Sequence, residues 1–108
     1  MAIPSYQALM APVLRLLADG QDRSTSELRS SLATELGYTR SDRELRTKSG
    51  EPLDRNRLNY AVTYLLHAGL VSHPRRGFTR IEPRGLRVLQ DHPDSIDRSI
   101  EAYSPWVN

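Results

Sequence analysis

Residues 54–81 read DRNRLNYAVTYLLHAGLVSHPRRGFTRI, and this stretch holds a helix, its stop, two strands and a basic turn. Leu58, Ala61, Val62, Leu65 and Leu66 stand at i, i+3, i+4, i+7 and i+8, the spacing of one buried helical face. The pattern predicts a helix from near Asp54 to His67, closed by Ala68-Gly69. Leu70-Val71-Ser72 and Phe78-Thr79-Arg80-Ile81 follow as two short strand candidates. His73-Pro74-Arg75-Arg76-Gly77 joins them as a hairpin link carrying two arginines. With the apolar stripe turned inward, a step of 100° per residue sends Asn56, Tyr60, Thr63 and His67 outward, flanked by Arg57, Asn59 and Tyr64.

Working upstream, two more helices are expected. Ser5 is an N-cap, and Leu9, Val13, Leu16 and Leu17 repeat at helical spacing up to Gly20. Pro12 falls inside that pattern, where it removes a backbone donor and favours a kink. Gln21-Asp22-Arg23 is a polar link able to pair as a brief strand. Ser24-Thr25-Ser26-Glu27 is a capping box opening a helix with the stripe Leu28, Leu32 and Leu36, stopped by Gly37. Thr39-Arg40-Ser41-Asp42 is a second box, so a short helix is expected over 40–46, and 47–52 is a loop by composition. Downstream, Pro83, Leu86, Val88 and Leu89 suggest one further helix, and Pro93, Ile96, Ile100 and Tyr103 a last amphipathic turn or two. Helices followed by a hairpin with a basic tip define a mainly α fold with a small β-hairpin, the winged helix-turn-helix. The domain is expected over residues 1–103, with 104–108 as a tail or the start of a linker.

The composition fits one domain: 108 residues, 38% hydrophobic and 26% charged. No cysteine is present, which excludes disulfides, thiolate zinc sites and cysteine nucleophiles. The N-terminal stretch lacks a signal-peptide pattern, and no apolar run approaches the ~20 residues of a membrane helix. A cytoplasmic location with no membrane partner is expected. The net charge of +2 hides an asymmetry along the chain. Residues 40–87 carry eleven basic groups against five acidic ones, a net +6, while residues 1–39 carry −1 and 88–108 carry −3. A basic middle between neutral and acidic ends suits a polyanion.

The outward helix face has the chemistry to read base edges in a major groove. Asn pairs bidentately with adenine, Arg with guanine, and a Thr methyl or an aromatic edge meets a pyrimidine methyl. A polar outer face is also what any surface helix carries, so the face counts only with its neighbours. Lys48 precedes the helix, Arg55 stands at its start, and Arg75 with Arg76 occupies the hairpin, where folding needs no arginine. The candidate DNA-binding set is therefore Lys48, Arg55, Asn56, Arg57, Asn59, Tyr60, Thr63, Arg75 and Arg76. Arg40, Arg43 and Arg46 alternate with Asp42 and Glu44 and read as a solvated face, and Arg84 and Arg87 as surface ion-pair partners. A winged helix used for protein contact would draw instead on Tyr60, Tyr64 and Trp106.

Catalytic patterns are missing. Lys48 is the sole lysine and follows Thr47, so there is no Gly-Lys phosphate loop. Arg46 stands where a nuclease-type acid-x-Lys pair would need its acid. His67, His73 and His92 have no ligand spacing, and Pro93-Asp94 is a lone dipeptide. No catalytic residue, metal site or cofactor is expected.

Ile3-Pro4-Ser5-Tyr6-Gln7-Ala8-Leu9-Met10, continuing through Pro12-Val13-Leu14-Arg15, resembles the opening of the N-terminal domain of Mrr-type restriction endonucleases. Leu53-Asp54-Arg55-Asn56-Arg57, the helix ending Tyr64-Leu65-Leu66-His67-Ala68-Gly69-Leu70, Pro74-Arg75-Arg76-Gly77, Ile81-Glu82-Pro83-Arg84-Gly85 and Ile96-Asp97 extend the resemblance over nearly the whole chain. It implies a winged-helix module that recognises double-stranded DNA and precedes a C-terminal nuclease domain cutting methylated DNA. That nuclease domain would be a partner in the same protein, either absent from a fragment or lacking in a stand-alone relative. Methyl discrimination would reside in this domain, in the nuclease half or in a homodimer. The alternative within DNA binding is a transcription repressor with a fixed operator.

Overall fold

A computed structural model describes residues 3–91, and five helices and three strands follow one another within that span. Helix α1 spans Tyr6–Leu16, strand β1 Arg23–Ser24, helix α2 Thr25–Leu36 and the short α3 Arg40–Glu44. Helix α4 runs over Leu53–His67, β2 over Val71–Ser72, β3 over Phe78–Ile81 and α5 over Pro83–Asp91. The expected turns around Ile96, Ile100 and Tyr103, the tail 104–108 and Trp106 lie outside the described residues.

Local chemistry explains most boundaries. Ser5 accepts from the Ala8 amide at the head of α1, which continues through the buried Pro12. It stops at Leu16, before the left-handed Gly20. Both capping boxes form reciprocally. Ser24 Oγ accepts from Glu27 N at 3.0 Å while Glu27 accepts from Ser24 N, and Thr39 pairs with Asp42 in the same way. Helix α3 is shorter than the expected 40–46, because Leu45 turns extended and Arg46 instead bridges to Pro52. Gly37 takes the left-handed conformation required to end α2.

The helices pack around α1. Leu9, Val13, Leu14 and Leu17 meet Leu28 and Leu32 of α2, and Leu58, Ala61 and Leu65 of α4, all fully or nearly fully buried. Burying each leucine contributes roughly 1.5–3 kcal/mol. The expected stripe of α2 ends early: Leu36 is 37% exposed, because the chain leaves the core at the following Gly37. Val62 and Leu66 are half-buried, so the inner line of α4 is narrower than the sequence pattern.

The sheet has three strands in the order β1-β3-β2, both pairings antiparallel. Val71 faces Ile81 and Ser72 faces Arg80, while Arg23 faces Thr79 on the other edge. The hairpin therefore gains an outer strand from the link before α2, starting two residues later than the sequence suggests and sharing only Arg23 with the expected segment. The Thr25 amide donates to Gly77 O, tying the base of the loop 73–77 to the start of α2. The result is a mainly helical, winged-helix arrangement with α2 and α4 as its helix pair.

Candidate nucleic-acid interface

Helix α4 is held by its inner face and by one charged brace. Asp54, only 3% exposed, accepts from Arg29 Nε at 2.7 Å and Arg29 Nη2 at 3.0 Å. This bidentate pair fixes the first turn of α4 against α2. The preceding segment is more ordered than a loop. Leu53 N donates to Leu45 O, Thr47 N to Glu51 O and Gly50 N to Thr47 O, so residues 45–53 form a tight hairpin-like turn. Gly50, at φ +90°, closes it, and Lys48 stands exposed in the turn.

The outer face of α4 brings together most of the helix residues singled out from the sequence. Asn56, Asn59, Tyr60 and Thr63 line an open depression of about 260 Å3, together with Glu51. Tyr60 is 54% exposed, and its ring centroid lies 6.2 Å from that of Tyr6. Thr63 donates its hydroxyl to Asn59 O at 2.8 Å, so its free capacity is as an acceptor, beside its methyl. Asn56 donates through Nδ2 to Glu51 Oε2 at 3.0 Å, and Arg55 stands 3.8 Å from Glu51 Oε1.

Two flanking residues are engaged elsewhere. The Arg57 guanidinium donates to the carbonyls of Ile3 and Pro4, the second at 3.4 Å. It fastens the N-terminal segment to α4, and in this arrangement its fork is not presented to a groove. Tyr64 stacks on Tyr6 with ring centroids 4.7 Å apart and planes 11° from parallel. It belongs to the α1–α4 contact.

The wing presents both its arginines to solvent. Arg75 sits over the Phe78 ring at 3.7 Å, a cation–π contact that leaves its donors available. Among the described residues neither Arg75, Arg76 nor Lys48 pairs with a carboxylate. Most other basic groups are occupied. Arg80 binds Asp22 at 2.6 Å, Arg23 binds Asp19 at 2.6 Å, and Arg40 lies 3.5 Å from Glu44. Arg84 donates to Ala68 O rather than to an acid, so it serves the end of α4 and not a surface ion pair.

Glu51 is the residue of this surface that the sequence reading passed over. Its signal was an acid four residues before Arg55 and five before Asn56, hidden in a segment read as loop. Among the described residues no group of three His, Asp or Glu side chains could hold a metal, and no helix is long and apolar enough to cross a membrane.

Residues 6–91 match the Mrr N-terminal domain family. The chain is also similar to the type IV methyl-directed restriction enzyme EcoKMrr of Escherichia coli K12, with 31% identity over 97 residues. That alignment takes in 89% of this chain and 32% of the relative, so the chain spans about a third of that enzyme's length. No solved structure matches it. With the matched region running from the first residue of α1 to the last of α5, the chain belongs to the Mrr N-terminal domain family.

Proposed function

We infer that this domain is the double-stranded-DNA recognition part of a modification-dependent restriction system. The observation that carries the reading is the outer face of α4, whose Asn56, Asn59, Tyr60 and Thr63 surround one depression while unpaired cations stand at the turn before it and the wing after it. Phosphate contacts from Lys48, Arg55, Arg75 and Arg76 set the register, and the helix face reads base edges. The family membership and the methyl-directed relative support the same assignment, with a C-terminal nuclease domain as the partner that cuts.

Methyl groups on cytosine C5 or adenine N6 project into the major groove, where Tyr60 and the Thr63 methyl offer apolar contact. Burying one methyl is worth on the order of 1 kcal/mol, so discrimination by this domain alone is about tenfold or less. Wild type, Asn56→Ala and Tyr60→Ala are titrated against matched methylated and unmethylated duplexes. Loss of sequence or methyl preference with non-specific binding retained is expected. Unchanged preference in both variants removes α4 from the reading role. Binding selection from a random duplex pool separates this reading from a repressor, which enriches a single operator. Protein contact is the weaker alternative, since Tyr64, one of the aromatics it needs, is stacked on Tyr6.

A further inference from the structure

A carboxylate in the middle of a surface meant for an anion is a cost unless it recognises something. Glu51 is such a group. Its backbone is fixed on both sides, because its carbonyl accepts from Thr47 N at 2.8 Å and its amide donates to Thr47 Oγ1 at 3.2 Å. The side chain is 32% exposed and lines the same depression as Asn56, Asn59, Tyr60 and Thr63. Oε2 takes the Asn56 amide at 3.0 Å, while Oε1 has Arg55 at 3.8 Å, too far for a hydrogen bond. An ionised carboxylate accepts about four hydrogen bonds, so with one taken by Asn56 this depression-lining group keeps acceptor capacity.

We propose that Glu51 is a specificity-determining residue that accepts a hydrogen bond from an exocyclic amino group on the major-groove edge, N4 of cytosine or N6 of adenine. The inference rests on the DNA-recognition reading above. Guanine and thymine present O6 and O4 there, acceptors that a carboxylate repels. Asn56, anchored on Oε2, keeps its Oδ1 and a second amide hydrogen for the neighbouring position. Tying Asn56 to Glu51 also holds the amide in one orientation before DNA arrives. The same charge lowers affinity for phosphate in general, so it exchanges raw affinity for selectivity.

The test compares wild type, Glu51→Gln and Glu51→Ala by selection from a randomised duplex pool and by direct titration, with melting curves checking the fold. Gln retains an acceptor for Asn56 and nearly the same shape. Wild type is expected to prefer cytosine or adenine at one position by about tenfold. Glu51→Gln relaxes that position toward guanine and thymine, and Glu51→Ala loses the preference while binding random duplex about threefold more tightly. Replacing the preferred cytosine by 2-pyrimidinone, or the preferred adenine by purine, deletes only the amino group and tells which base is read. A preference that survives in both variants, or one indifferent to removal of the amino group, overturns the proposal and leaves DNA recognition standing. Wild-type binding without base preference does the same, whereas failure to bind duplex DNA at low salt overturns the underlying reading as well.

Discussion

Arg29 and Asp54 lie 25 positions apart and meet where α2 crosses the first turn of α4. Asp54 is buried and Arg29 is about a third exposed, so removing Arg29 leaves a carboxylate with little water to compensate it. Arg29→Ala is expected to cost about 2–3 kcal/mol, a fall in melting temperature on the order of 10 °C for a domain of this size. Calorimetry or circular dichroism checks it; a change below about 0.5 kcal/mol would mean that the pair is cosmetic. This contact and the Arg57 bonds to Ile3 and Pro4 were not legible in the sequence. Helical periodicity relates residues three and four apart, and it assigns Asp54 to a helix start and Arg57 to a flank. A partner 25 or 54 residues away enters only when the elements have docked. Asn56, Asn59, Tyr60 and Thr63 were legible because their placement follows from the stripe opposite them.

Elements were readable where side chains bond their own backbone. Both capping boxes, the left-handed Gly37 and the Ala68-Gly69 stop are local devices, and each forms as the sequence suggests. Leu36 and the end of α3 were misjudged because exposure and the Arg46–Pro52 bridge depend on the path of the chain beyond the helix. The capping box of α2 titrates. Hydrogen bonds from the Ser24 amide and then its hydroxyl hold the Glu27 carboxyl below its ordinary 4.5. A depressed folded value means that the cap's contribution is complete above that ordinary value and disappears as pH falls through the lowered one. Glu27→Gln should therefore flatten part of the acid limb of the stability curve, measured by denaturant melts between about pH 6 and pH 3. An unchanged acid limb would place its origin in other carboxylates. For the wing, exposed charges contribute little to folding. Arg75→Ala with Arg76→Ala should weaken binding to all duplexes about equally and leave the melting temperature nearly unmoved. A large loss of stability would show that the Arg75–Phe78 contact holds the hairpin together.

Across the whole molecule the sequence and the structure give different electrostatic counts, and salt dependence decides between them. The central segment carries eleven basic groups and a net +6. In the folded chain Arg80, Arg40 and Arg55 have carboxylate neighbours, and Arg46, Arg57 and Arg84 serve backbone carbonyls. Arg55 has the loosest of these attachments, at 3.8 Å, and can turn to a phosphate at small cost. Among the described residues Arg43, Lys48, Arg75, Arg76 and Arg87 have no such attachment. Arg43 on α3 and Arg87 on α5 are outside the proposed contact, so the cations counted for it are Lys48, Arg75 and Arg76, with Arg55 as a fourth. Each phosphate neutralised on duplex DNA contributes about −0.9 to the slope of log affinity against log salt. A slope of roughly −3 to −4 follows, and the double wing variant should reduce its magnitude by about 2. Fluorescence anisotropy on a fixed duplex between about 50 and 300 mM salt measures both. A slope near −10 would mean that the internal ion pairs open on binding and that the folded charge layout is not the one DNA meets. A slope near zero would remove phosphates from the contact altogether, and with them the role assigned to the wing.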